Sequence, residues 1–265
     1  MPRFAANVSM LFTEAPFLER FALARRAGFD AVEFLFPYEH DAQDIATALQ
    51  ANDLALALFN FPAGDFAAGD RGLASDPQRV EAFRESVASA MRYASVLHPE
   101  KMNCLAGKTI PGEDRATQLA TLRENLRYAA GVAADHGVRL VMEPLNLWDA
   151  PGYLVSNPDN GFALIEEINH PNLKLEYDIY HAQRTRGNLA ATIAERIGLI
   201  GHVQLADSPH RNEPGTGEIN FPYVLQALDN AGYDGWVSLE YRPSNETVKS
   251  LGWLQDMGFW KSTTG

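Results

Sequence analysis

The sequence has 265 residues and carries 34 acidic against 22 basic side chains, a net charge of −12. A diffuse acid excess opposes nucleic-acid and anionic membrane surfaces, which call for clustered Lys and Arg. The single cysteine, Cys104, excludes an internal disulfide and fits a reducing cytoplasm, no apolar run approaches membrane-spanning length, and the opening MPRFAANVSMLF lacks the apolar stretch and cleavage site of a secretory signal.

Short apolar runs alternate with longer amphipathic ones along the whole chain. A strand is predicted over 4–9, then a helix over 14–27 that Gly28 closes. A second strand, 31–36, a short helical pattern at 44–51 and a third strand, 54–60, follow. The helix predicted over 77–97 places Val80, Phe83, Val87, Met91 and Ala94 three and four residues apart. Strand 101–105 takes in Cys104 as a buried thiol. Helix 114–136, with Leu119, Leu122, Leu126 and Ala129 on one face, stops before Gly137. After strand 139–143, Asn157-Pro158 is a helix cap followed by a first-turn proline, opening a helix that runs to Ile168. Strand 173–178, a helical pattern at 189–197, strand 202–206, a helix over 221–231, strand 236–240 and a helical pattern at 247–254 complete the series.

Eight strands alternating with about eight helices imply a parallel sheet, because parallel neighbours need crossover connections. With no segment left over, the expected fold is α/β, a closed (β/α)₈ or TIM barrel forming one domain over residues 1–265. The alternative, an open doubly wound sheet, would usually carry a Gly-rich phosphate turn after its first strand. Here that turn reads Ser9-Met10-Leu11-Phe12-Thr13.

Active sites of such barrels form at the C-terminal ends of the strands. Strand five ends in Glu143 (VRLVMEPLN), six in Asp178 (LKLEYDIYH) and eight in Glu240 (GWVSLEYRP), and seven carries Gln204 (GHVQLAD). Contact with water explains any one polar strand end. Four in succession need more, because like charges converging on a mouth repel and burial raises the cost. A divalent cation removes the difficulty, and an all-oxygen set suits Mg²⁺ or Mn²⁺ better than Zn²⁺. His181 is expected in the loop after strand six, as a substrate contact or a histidine bonded to backbone. His202 shares its side of strand seven with Gln204, one layer deeper. In the next loop, ADSPHRNEPGTGEIN, Arg211 is the strong cation and Gly215-Thr216-Gly217 offers an anion cradle. Lys108, in NCLAGKT after strand four, either reaches the mouth or stays solvated. His40, His98, His136 and His170 fall at loops and helix ends.

The segments VMEPLN, YDIYHAQRTRGNL, GHVQLADSPHRNEPGTGEIN and GWVSLEYRP resemble the hydroxypyruvate isomerase family of xylose-isomerase-like barrels. RFAANVSMLF, VEFLFPY and PAGDFAAGDRGLA extend the likeness over nearly the whole chain, and YDIYH and EPGTGEIN are its specific parts. The resemblance implies a divalent metal held by Glu143, Asp178, Gln204 and Glu240, with Glu143 and Glu240 as the acid/base pair. It leads us to expect interconversion of hydroxypyruvate and 2-hydroxy-3-oxopropanoate (tartronate semialdehyde) through an enediolate. Alternatives are 2-oxo-tetronate isomerisation and ketose 3-epimerisation, although related epimerases carry histidine where this chain has Gln204. Cleavage of abasic DNA, which in the broad family needs a histidine-rich multi-zinc mouth, and a non-catalytic binding barrel stand further off. Three carboxylates and one divalent cation leave a charge of −1, so a small anionic hydroxy-carbonyl substrate needs cations nearby. Arg211, Lys108 and protonated His181 are the candidates. No nucleic-acid or membrane partner is expected, and a cytoplasmic homo-oligomer is compatible with the sequence.

Overall fold

In the computed structural model, which describes residues 2–260, eight short runs form one closed barrel, each strand hydrogen-bonded to the next in chain order. They are β1 (Arg3–Asn7), β2 (Ala31–Phe34), β3 (Ala55–Asn60), β4 (Lys101–Asn103), β5 (Arg139–Met142), β6 (Leu173–Asp178), β7 (Ile200–Leu205) and β8 (Trp236–Leu239). All pairings are parallel, and β1 closes the ring against β8 with Ala5 opposite Ser238. The helices on the outside are α1 (Arg20–Arg26), α2 (Ala42–Ala51), α3 (Val80–Leu97), α4 (Arg115–Asp135), α5 (Pro158–Ile168), α6 (Ile179–Thr185), α7 (Leu189–Arg196) and α8 (Phe221–Asn230), followed by two single turns, α9 (Thr247–Ser250) and α10 (Trp253–Asp256). Among the described residues no helix is long and apolar enough to cross a membrane.

Side-chain caps fix where the helices begin. Asp41, Asp114, Asn157 and Asn220 each accept a hydrogen bond from a backbone N–H of the first turn, satisfying donors that have no partner within the helix. The helix expected over 14–27 starts later, because Pro16 and a 3₁₀ turn at Phe17–Glu19 precede α1. The largest departure follows β6. The segment expected as a loop is α6, because Asp178 Oδ1 accepts from Tyr180 N (2.7 Å) and His181 N (3.4 Å) and starts a helix there. The pattern at 247–254 breaks into α9 and α10.

The main core lies between barrel and helices and includes Phe21, Phe34, Ile45, Phe59, Val87 and Leu126. The lumen differs. Ala5, Ala31, Ala57 and Trp236 form a small separate apolar cluster. Further along the strands, alternate positions carry Asn7, Glu33, Glu176, His202, Gln204 and Ser238, all buried. All of these but Glu176 bond to one another, as burial of polar groups requires, and so the lumen forms a polar floor beneath the strand ends.

Candidate active site

Glu143 follows β5, Asp178 ends β6, Gln204 lies on β7 and Glu240 follows β8. All four are buried. Glu143, Asp178 and His181 offer ligand-type atoms within 4.8 Å of one another. Arg211 bridges from Asp178 to Glu240: its Nη2 pairs with Glu240 Oε2 and lies 3.5 Å from Asp178 Oδ2. Its guanidinium also stands over the Tyr180 ring, 5.2 Å from the centroid.

Several acceptors in this cluster have no hydrogen-bond donor: Glu143 Oε1, Asp178 Oδ2 and Gln204 Oε1 are buried and unpartnered. Burial, together with Glu240 and Asp178, pushes the Glu143 carboxyl well above the usual carboxylate range. Burial raises Glu240 to about 8 against the pull of Arg211, and Asp178 to about 6 against Arg211 and its helix-capping bonds. For Arg211 burial works the other way, but the surrounding carboxylates outweigh it and hold the guanidinium firmly charged. Three orphaned oxygens and three carboxylates crowded until their proton affinity rises have the chemistry that a hard divalent cation takes. The residues therefore fit such an ion.

His181 is not a further cation. Burial, then the Arg211 charge, pushes its imidazolium well below the usual range, so the protonated histidine expected from charge counting gives way to a neutral ring. Its Nδ1 accepts from Asn146 N at 3.0 Å. The neutral ring therefore carries its proton on Nε2, which points at Asp178 Oδ2 (3.5 Å) and Glu143 Oε1 (3.7 Å). Nε2 itself has no hydrogen-bond partner, so in this tautomer it is a donor left over for a substrate oxygen.

Two other expectations meet different surroundings. Lys108 Nζ donates to Gly69 O at 3.2 Å, which ties it to the loop after β3 and makes no contact with the carboxylates. The Gly215–Gly217 turn is no open anion cradle, because Asp207 fills it. Asp207 Oδ2 accepts from Gly215 N (2.9 Å) and Gly217 N (2.8 Å), and Oδ1 accepts from Ser208 N and Ile219 N. Cys104 is buried, and burial raises its thiol to about 12, which removes it as a nucleophile.

Sequence reasoning missed the floor. Glu33 on β2 pairs with His202 Nε2 at 2.7 Å and accepts from Asn7 Nδ2 (2.9 Å) and Gln204 Nε2 (2.8 Å). Against its burial, hydrogen bonds from His202, Ser238 and Gln204 and the His202 charge hold its carboxyl below the usual range. Asn7 Nδ2 also donates to Glu240 Oε1 at 3.2 Å. His202 thus lies under Gln204, as its spacing implied. Two signals were available: a glutamate inside the apolar run AVEFLF, and Asn7 as a polar end to β1. Nearby, Glu176 is fully buried with neither oxygen hydrogen-bonded, and burial, Glu143 and Glu33 drive it towards the neutral acid.

Comparison with known proteins bears on this geometry. Residues 21–257 match the family described as xylose isomerase-like TIM barrel. The chain is 47% identical over 254 residues to the hydroxypyruvate isomerase of Escherichia coli, covering 96% of this chain and 98% of the relative. It is also 47% identical to the 2-oxo-tetronate isomerase of Cupriavidus necator, with 96% and 98% covered. A Brucella melitensis structure described as an AP endonuclease of family 2 superposes with a TM-score of 0.94 at 44% identity, covering 97% of this chain and 99% of that one.

Proposed function

Because the chain belongs to the family of xylose isomerase-like TIM barrels, we propose that it is an isomerase interconverting hydroxypyruvate and 2-hydroxy-3-oxopropanoate by proton transfer between adjacent carbons. The observation that carries the reading is the pair of buried glutamates, Glu143 and Glu240, at the ends of β5 and β8, with proton affinities raised above the ordinary carboxylate range. A carboxylate of ordinary acidity is a poor base near pH 7, whereas one raised towards neutrality can both take and return a proton.

In this reading Glu143, Asp178, Gln204 and Glu240 hold a divalent cation, Mg²⁺ or Mn²⁺. When bound, it would supply Lewis acidity that polarises the substrate carbonyl and steadies negative charge on the oxygens. One glutamate takes a proton from C3 of hydroxypyruvate, giving the enediolate. The same or the opposite glutamate returns a proton to C2, while the O3 proton is lost and O2 gains one, giving the aldehyde. Arg211 pairs with the substrate carboxylate, and the Nε2–H of His181 donates to a substrate oxygen.

The equal identity to a 2-oxo-tetronate isomerase supports a second reading with the same chemistry on a longer acid. Incubating the protein with each acid in D₂O and following it by proton NMR tests both. Deuterium entering at carbon, with an aldehyde product from hydroxypyruvate, supports the first. Turnover of the 2-oxo-tetronate alone moves the substrate. No exchange with any small hydroxy-carbonyl ends the isomerase reading.

A further inference from the structure

A carboxamide presents either oxygen or nitrogen to a site, and the partner on its far side decides which. Only the oxygen ligates a hard cation, because the amide nitrogen carries hydrogens and a delocalised lone pair. On this chain the far side of Gln204 is Glu33. Gln204 Nε2 donates to Glu33 Oε1 at 2.8 Å, and Gln204 Oε1 is left buried with no partner. Glu33 is committed as an acceptor by two further donors, Asn7 Nδ2 at 2.9 Å and His202 Nε2 at 2.7 Å. A carboxylate accepting three N–H groups cannot face an amide oxygen. The reversed amide would set oxygen against oxygen and turn an NH₂ towards the carboxylates above.

We infer that Glu33 is a positioning residue that locks the Gln204 side chain with its oxygen towards the metal and its nitrogen towards the floor. The inference rests on the reading of Gln204 as a metal ligand. It makes β2, a strand with no residue among the proposed ligands, responsible for the all-oxygen character of the centre. Through Asn7, whose Nδ2 also reaches Glu240 Oε1, the same carboxylate steadies a second proposed ligand.

The test is metal affinity, read without turnover. Metal-stripped wild type, Glu33→Gln, Gln204→Leu and the double variant are titrated with Mn²⁺, and free Mn²⁺ is followed by electron paramagnetic resonance. Loss of a residue that orients a ligand costs ~10–100-fold in metal affinity, and we expect Glu33→Gln to fall in that range. In the Gln204→Leu background no amide remains to orient, so Glu33→Gln should add little. A purely electrostatic role for the Glu33 charge predicts the same loss in both backgrounds and would overturn the inference. So would a Glu33→Gln protein that binds Mn²⁺ as tightly as wild type. If Glu33→Gln does not fold by circular dichroism, Glu33→Asp replaces it, keeping the charge but withdrawing the acceptor by one methylene. Weaker Mn²⁺ binding then supports the lock and unchanged binding overturns it. Wild type that takes up no Mn²⁺, or Gln204→Leu that binds as tightly as wild type, defeats the metal reading itself and the inference with it.

Discussion

Glu143 and Glu240 reach the mouth from strands three apart in the ring, so a flat enediolate can lie between them. Each Glu→Gln change is expected to lower turnover at least ~10²-fold, the lower end for a general acid/base group, with circular dichroism unchanged. The double change should fall short of the product of the two, since in the proposed site both residues would also hold the metal. Arg211→Ala removes the cation that offsets these carboxylates, and a hydrogen bond to a charged group contributes about 1.5–3 kcal/mol. Its kcat/KM for an anionic substrate should drop roughly ten- to a hundredfold, mostly through KM. The raised carboxyls also set a pH dependence. Glu240 rises from 4.5 to about 8 and Asp178 from 3.8 to about 6, so the folded, chelated protein keeps protons the unfolded chain has released. Their contribution to stability is full below the unfolded values and is lost as pH rises through the folded ones. Binding of a divalent cation expels those protons and should strengthen over the same interval. Melting temperatures in EDTA and in Mg²⁺ at several pH values check this. The Mg²⁺ increment should widen as pH approaches about 8, and an increment independent of pH would refute the assignment.

Most elements were legible because their signals are local. Period-3.6 faces gave α3 and α4, and Asn157-Pro158 gave the start of α5, within a few residues. The exceptions depend on contacts made by one side chain. Asp178 reads as a strand-end carboxylate, yet one of its oxygens nucleates α6 and so places His181 on a helix. Asp207 reads as one more acid in an acidic loop, yet its two oxygens hold four backbone N–H groups, three of them, Gly215, Gly217 and Ile219, on the loop's far limb. Arg211 rides on that loop with a left-handed backbone, φ 58°. Asp207→Asn turns two of those bonds into N–H facing N–H, at a cost of about 1–3 kcal/mol for each buried group left unpaired. A lower melting temperature, together with a raised KM from a displaced Arg211, is the expected outcome. Normal KM at reduced stability would separate the loop from the site. Gly217 is equally fixed, since a Cβ there would lie 1.9 Å from Ser208 O.

Across the molecule, the eightfold alternation made the closed barrel readable, and the strand-end rule then singled out Glu143, Asp178, Gln204 and Glu240 as candidates, which the structure places buried on or at the ends of β5 to β8. The floor stayed hidden because the residues that bond to Glu33 lie 26 to 171 residues from it in sequence and no local pattern links them to it. The net charge of −12 leads to a prediction at this scale. In spite of the Brucella relative's description, an abasic DNA duplex should show no electrophoretic shift with this protein even at low salt, and tight, salt-sensitive binding would revive the endonuclease reading. The floor also has a consequence for how the chain is made. Its carboxylate comes from β2, its amides from β1 and β7, and the glutamate above it from the end of β8. A nascent chain emerging N-terminus first therefore carries Glu33, an acid within an apolar strand, with Asn7 at hand but long before His202 and Gln204 exist. The seam between β1 and β8 can form only after nearly all of the chain has left the ribosome. Until β8 has emerged, Glu143, Asp178 and Gln204 face an open seam without Glu240, so the proposed site is assembled by the last strand of the barrel to be made.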